Sequence, residues 1–224
     1  MYKIAIDGPG GAGKSTVAKA VARNLGITYV DTGALYRTIG LYVRRKEVNP
    51  KDAEAVSALL PEISIEMAHE NGVQVIYLNG ENVGDNIRTQ EMSMYASAVS
   101  AHPAVRDFLL ATQRNIAKTH SVIMDGRDIG TVIFPDAEVK IFLTASPEDR
   151  ARRRYEEQLS RGIAVEYEKV LAEIIERDHN DSTRAVAPLK PADDAIMLDN
   201  SGLSAEESAQ AVADIIREKL GVAL

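Results

Sequence analysis

The sequence predicts an α/β protein built on a parallel β-sheet flanked by helices, with an antiparallel hairpin and a pair of charged helices inserted into it. Three observations carry this expectation. A glycine-rich run, Gly8-Pro9-Gly10-Gly11-Ala12-Gly13-Lys14-Ser15, joins an apolar opening, Tyr2 to Ile6, to an amphipathic stretch that begins Thr16-Val17-Ala18. Short β-rich apolar segments then recur with helical stretches between them, the pattern of a parallel sheet covered on both faces. Three of these segments end in aspartate, at Asp7, Asp31 and Asp125, and a parallel sheet presents the C-terminal ends of its strands to a ligand crevice.

Taken in order, the predicted strands are Lys3 to Asp7, Thr28 to Asp31, Ser121 to Asp125, Val139 to Ala145 and Ala195 to Leu198. A last helix runs from Ser204 to Leu220. It opens on a capping-box pattern, Ser204-Ala205-Glu206-Glu207, and places Val212, Ile215, Ile216 and Leu220 on one face. Two stretches interrupt the alternation. Ile63-Ser64-Ile65-Glu66-Met67 and Val73-Gln74-Val75-Ile76-Tyr77-Leu78 alternate in polarity around Asn71-Gly72, which is a hairpin signal. Farther on, two charged helices open at Ser146 and near Glu166 and are separated by Arg161-Gly162. The expected organisation is therefore core at 1–60, 94–146 and 185–224, one insertion at 61–93 and a second at 147–184.

Composition narrows the function. With 224 residues, 45 % of them hydrophobic, the chain is long enough for a full core. A net charge of −7 opposes a broad nucleic-acid surface, so any polyanion site has to be a local group of Arg or Lys. The absence of cysteine removes disulfides and cysteine-based zinc sites and points to a reducing cytoplasm. Met1 leads directly into the first strand, and no apolar run reaches the ~18 residues of a membrane span, so neither targeting nor membrane contact is expected. His69, His102, His120 and His179 are scattered without metal-ligand spacing.

The glycine-rich run is a complete P-loop in its required setting between strand and helix, which makes the expected architecture a P-loop NTPase fold. Gly8, Pro9, Gly10, Gly11, Ala12 and Gly13 let backbone N–H groups turn onto a polyphosphate, Lys14 places a point charge on its outer phosphates, and Ser15 and Thr16 open the helix. Ser15 also offers a hydroxyl to Mg²⁺. Val122-Ile123-Met124-Asp125 resembles a Walker B strand, whose carboxylate holds Mg²⁺ directly or through water. Beside it lie Arg127 and Asp128, either ligand-facing or locked in a local salt bridge.

Further candidates follow the other strand ends. Asp31-Thr32-Gly33-Ala34-Leu35-Tyr36-Arg37 sets a hydroxyl and a guanidinium about one and a half helical turns apart, within reach of one phosphate. The alternative is a helix-capping Thr32 and a surface Arg37. In the charged insertion, Arg150, Arg152, Arg153 and Arg154 suit the charge that phosphoryl transfer gathers around a γ-phosphate, with Arg153 favoured. Arg177, Asp181 and Arg184 close that insertion, Asp181 suiting ribose hydroxyls and Arg184 phosphate.

These segments together resemble the bacterial cytidylate kinase family of the nucleoside monophosphate kinases. The resemblance rests on Ile6 to Ser15, Asp31 to Arg37, Ile87-Arg88-Thr89-Gln90-Glu91, Asp125 to Thr131 and Arg184-Ala185-Val186-Ala187-Pro188-Leu189, and it spans nearly the whole chain. It implies a monophosphate-binding insertion at 61–93, a lid at 147–184, and transfer of the γ-phosphoryl of ATP to CMP or dCMP with Mg²⁺. It further implies that Thr32, Arg37, Arg127 and Arg184 hold the acceptor phosphate, that Ser97, Arg106 and Asp128 read cytosine, and that Arg177 and Asp181 take the ribose. Lys14, Arg127, Arg153 and Arg184 would serve the transfer itself, in a monomer without nucleic-acid partners. Thr32 stands where members of this family often carry serine. Other readings remain: a P-loop kinase acting on UMP, one acting on a hydroxyl such as that of shikimate with Asp31 or Asp128 as base, or a nucleotide switch, although no Asn-Lys-x-Asp element of a guanine switch occurs.

Overall fold

β1 (Lys3–Asp7) sits at the centre of a five-stranded sheet, and its residues Ile4 to Asp7 are all buried, as a strand covered on both faces requires. β6 (Val122–Gly126) and β7 (Val139–Thr144) flank it in parallel, with Ile6 opposite Asp125 on one side and Ile141 on the other. β2 (Thr28–Asp31) lies beyond β6, and β8 (Ile196–Asp199) pairs with β7, giving the order β2-β6-β1-β7-β8. Each strand starts and ends within one residue of the sequence expectation. The computed structural model describes residues 1–70 and 73–221.

The chain divides into two units, one made of Met1–Tyr29 with Thr119–Leu224 and the other of Val30–Lys118. In the first, α1 (Lys14–Leu25) and α8 (Ala205–Leu220) cover the sheet, and Val17, Val21, Val212 and Ile216 meet Ile4, Ile6, Ile123, Ile141 and Leu143 in one core. The predicted capping box at Ser204 is formed: its hydroxyl accepts from Glu207 N, and the Glu207 carboxylate accepts from Ser204 N. Beyond β7 come α6 (Pro147–Ser160) and α7 (Tyr167–Thr183), which start where the sequence predicts; Ser146 caps α6 by accepting from Asp149 N, and Glu166 precedes α7 without a side-chain cap. They share a small core of Ala151, Val170 and Ile174, with the Tyr155 and Tyr167 rings edge to face at 6.0 Å.

The second unit carries α2 (Thr32–Arg45), α3 (Ala53–Leu59), an antiparallel sheet of β3 (Ile65–Glu70), β4 (Val73–Leu78) and β5 (Glu81–Asn82), then α4 (Gln90–Val99) and α5 (Pro103–Ile116). The predicted hairpin is present, with Ile65 opposite Leu78 and Met67 opposite Ile76; its expected turn, Asn71-Gly72, lies outside the described residues. α2 and α4 approach so closely at Gly40 that a Cβ there would come within 2.8 Å of Tyr95 Cβ. Leu35, Ile39, Ile76, Leu78, Met92 and Leu109 form this unit's own core. Among the described residues, no helix is long and apolar enough to cross a membrane.

Candidate active site

The P-loop leaves β1 through Gly8, whose φ is +147°, and a Cβ there would fall 1.9 Å from the carbonyl oxygen of Leu143 on β7. Only glycine lets the backbone pass at that distance. Gly13, also left-handed, precedes α1 and supplies no side-chain cap, so the helix presents its first N–H groups to whatever occupies the loop. Lys14 is buried and donates to the carbonyl of Pro9 at 2.7 Å. Burial, and then the nearby guanidinium of Arg127, push its pKa well below that of an ordinary lysine. A Cβ on Gly10 would stand 3.5 Å from both Arg127 Nη2 and Arg177 Nη1, so two arginines already face the phosphate loop.

The three strand-terminal aspartates divide the work. Asp125 accepts from Ser15 Oγ at 2.6 Å and from the Tyr29 hydroxyl at 3.0 Å. Asp7, fully buried, accepts from the backbone N–H of Ile129 and of Gly130, each at 2.7 Å, and so anchors the single π-helical turn Ile129–Ile133 that follows Arg127 and Asp128. Its burial outweighs those two hydrogen bonds and raises its pKa to about 6. Asp31, in the other unit, caps α2 by accepting from Ala34 N at 2.9 Å and also pairs with Arg37 Nη2 at 2.8 Å. The capping role considered for Thr32 therefore belongs to Asp31, because Asp31 has the extended backbone of an N-cap and Thr32 is already helical.

Arg127 does not form a local pair with Asp128. Its Nε donates to Asp181 Oδ2 at 2.9 Å, and Arg177 Nε lies 3.9 Å from the same oxygen. Burial alone would raise the Asp181 pKa, but the guanidiniums of Arg127, Arg177 and Arg184 overcome that and hold it below the usual carboxylate value. Arg184 ends α7 and donates from Nε to the carbonyl of Ala187 at 2.7 Å. Asp128 is buried. The sequence-predicted residues Lys14, Arg127, Arg177, Asp181 and Arg184 thus converge within one unit.

Among the arginines of α6, Arg150 reaches the P-loop: Nη1 donates to Gly10 O at 3.0 Å, Nε to Ala145 O at 2.9 Å, and Nη2 pairs with Asp178 at 2.6 Å. Arg153, favoured from sequence, instead donates to the carbonyl of Asn200 at 2.7 Å, while Asn200 Nδ2 donates to Ala12 O at 3.0 Å. Arg153 therefore touches the loop through Asn200.

Within the second unit, Thr32 is buried at the start of α2, and the Arg37 Nε is buried without a hydrogen-bond partner, a donor left over for an anion. Arg106 on α5 donates to Ser100 O at 3.0 Å and lies 5.6 Å from the centre of the Tyr36 ring; Ser100 Oγ in turn donates to the carbonyl of Ser97.

Ser15 and Asp125 offer oxygen donors 2.6 Å apart, the donor type that a hard cation such as Mg²⁺ prefers. Among the described residues there is no group of three or more His, Cys, Asp or Glu side chains able to cage a metal.

The family model described as cytidylate kinase matches residues 4–218. The chain belongs to the cytidylate kinase family. A cytidylate kinase of Fervidobacterium nodosum is 52 % identical over 217 residues, covering 97 % of each chain, and one of Geobacillus sp. is 46 % identical over 219 residues, covering 98 % of each. A solved structure of an uncharacterized protein from Eubacterium ventriosum superposes with a TM-score of 0.51 at 13 % identity, covering 96 % of this chain and 98 % of that one, which supports the fold alone. Relative to the cytidylate kinase pattern read from the sequence, the structure adds Tyr29 and Asn200 to the surroundings of the P-loop and gives Asp7 and Arg150 their partners there. Asp7 was visible as a strand end, and Arg150 as one of four arginines. Nothing in the spacing of Tyr29 or Asn200 signals a role, since each depends on the approach of a strand distant in sequence.

Proposed function

We propose that this cytidylate kinase family member transfers the γ-phosphoryl group of ATP to the phosphate of CMP or dCMP, releasing ADP with CDP or dCDP. The observation that carries the reading is the meeting of Gly10 with the guanidiniums of Arg127 and Arg177 in the same unit as the Ser15–Asp125 pair. Two anions have to be brought together for this reaction, and two arginines beside a phosphate loop supply the compensating charge.

In the step itself, an acceptor phosphate oxygen forms a bond to the γ-phosphorus as the bond from that phosphorus to the β-bridging oxygen breaks, and ADP takes the electron pair. A nucleoside monophosphate has a second pKa of roughly 6 and is largely dianionic at neutral pH, so no side chain is needed as a strong base. Alignment and charge then account for the catalysis. Lys14 serves the outer phosphates of ATP. Thr32, Arg37, Arg127 and Arg184 hold the acceptor phosphate, Arg177 and Asp181 the ribose, and Ser97, Arg106 and Asp128 the cytosine, whose amino donor and neighbouring acceptors suit a mixed acid and donor set. Arg153 adds charge at the transferred group. When bound with ATP, Mg²⁺ neutralises phosphate charge and fixes its geometry, with Ser15 and Asp125 as the residues that would hold it.

On this reading 61–93 is the monophosphate-binding insertion and 147–184 the lid. The cysteine-free sequence suits a reducing cytoplasm, and a monomer with nucleotides as its ligands is what the family resemblance implies. The test is ADP formation from Mg–ATP with CMP, dCMP, UMP, AMP and shikimate in parallel, beside Arg127→Ala. Turnover with CMP and dCMP that the substitution abolishes is the expected result; turnover with another acceptor overturns the cytosine assignment.

A further inference from the structure

The Asp125 carboxylate is gripped from two sides. Ser15 Oγ donates to Oδ2 at 2.6 Å, and the Tyr29 hydroxyl donates to Oδ1 at 3.0 Å. Ser15 belongs to the first turn of α1, directly after the phosphate loop. Tyr29 belongs to β2, where its ring packs against the sheet core and lies 5.5 Å below the Lys19 ammonium. A hydroxyl fixed at the end of a packed aromatic ring sets direction, because the ring has few rotamers to lose and its hydroxyl cannot leave the plane.

We propose that Tyr29 is a positioning residue for the metal-binding carboxylate: by occupying Oδ1 it turns the other oxygen of Asp125 toward the Ser15 hydroxyl and the phosphate loop. The inference rests on the reading above that Asp125 serves Mg²⁺. Ser15 can exchange its bond to Asp125 for one to the ion, while the Tyr29 ring stays packed against the sheet core, so the carboxylate keeps its orientation as the ion arrives. Outer partners of this kind hold metal-ligating carboxylates in place, and their loss typically lowers metal affinity by roughly 10–100-fold.

The variant is Tyr29→Phe, which removes the hydroxyl and leaves the ring, its packing and its contact with Lys19. Two quantities are read on the full chain. One is the Mg²⁺ concentration that gives half-maximal ADP formation at saturating CMP. The other, independent of turnover, is Mn²⁺ binding to the enzyme with a non-hydrolysable ATP analogue, followed by electron paramagnetic resonance and set against binding of the analogue in EDTA. The expected result is a rise of about 10-fold in the metal requirement and a matching loss of Mn²⁺ affinity, with metal-free analogue binding and the KM for CMP unchanged. An unchanged metal requirement, or equal losses with and without metal, overturns the proposal. Asp125→Asn, measured alongside, separates the two levels. If it raises the requirement and Tyr29→Phe does not, only the role of Tyr29 fails; if Asp125→Asn leaves the requirement unchanged, the metal assignment fails and the proposal with it.

Discussion

Arg127 Nε lies 2.9 Å from Asp181 Oδ2, an ion pair between the residue after β6 and the last turn of α7, 54 positions later. Asp181 is 5 % exposed and Arg127 19 %, so the pair sits in surroundings where removing one partner leaves a charge without compensation. Its position also explains how three like charges, those of Arg127, Arg177 and Arg184, are held near one another before any phosphate binds.

Asp181→Asn is expected to destabilise the protein by about 3 kcal/mol at neutral pH, since breaking a buried pair costs more than the pair contributes against an apolar replacement. The pKa of Asp181 is lowered on folding, so its stabilisation is present above the unfolded value of 3.8 and lost as the pH falls below it. Urea unfolding of both proteins should therefore show a gap at pH 7 that narrows below about pH 4. A gap independent of pH would mean that packing, and not charge, ties Asp181 to its neighbours.

Asp7 predicts the opposite slope. Its pKa rises from 3.8 to about 6 on folding, so its contribution to stability is complete below 3.8 and declines as the pH passes through 6. The loss amounts to about 3 kcal/mol across that window. Asp7→Asn, which cannot ionise, should gain on the wild type by about this amount between pH 4 and pH 7.5 in urea unfolding. Parallel stability profiles would show that the Asp7 carboxylate is ionised as easily in the folded chain as in the unfolded one.

At Gly8 the prediction is steric. Alanine would place Cβ 1.9 Å from Leu143 O on a backbone with φ of +147°, so the strand-to-loop turn has to move. A loss of about 3 kcal/mol or more in stability is expected, together with loss of ATP binding by calorimetry. Gly26→Ala serves as the comparison: its φ is +63°, nothing lies within 4 Å, and a cost of about 1 kcal/mol with ATP binding intact is expected. Equal effects at the two positions would refute the close approach of the loop to β7.

The helices α6 and α7 carry their own small core, yet leave Leu159 and Ile175, and Ile163 in the loop between them, about half exposed. A bisubstrate analogue that joins ATP to CMP should slow amide hydrogen exchange across 147–184, as closure removes water from the phosphates. Unchanged exchange there, with saturation confirmed by calorimetry, would remove the lid assignment.

The parallel strands, the hairpin and the helix starts at Ser146 and Ser204 were legible in the sequence, because each depends on local periodicity or on a residue's own backbone preference. Lys14, Ser15 and Asp125 were legible for a different reason: a phosphate loop and a strand-end carboxylate constrain residue type and spacing together. The partners were not. That Arg127 turns to Asp181 and away from its neighbour Asp128, that Asp7 spends its carboxylate on two backbone N–H groups, and that Arg150 reaches Gly10 before Arg153 does are all set by elements that meet only in three dimensions. Charge pattern names the arginines of α6; burial chooses among them.

The place of β1 has a consequence for biosynthesis. It precedes its sheet neighbours in sequence and is the most central strand, and those two neighbours are β6, completed at Gly126, and β7, completed at Thr144. Contacts so distant along the chain form late, after a large closure entropy has been met. A nascent chain shorter than about 144 residues cannot close the strand that feeds the phosphate loop, so nucleotide gives it no help by mass action.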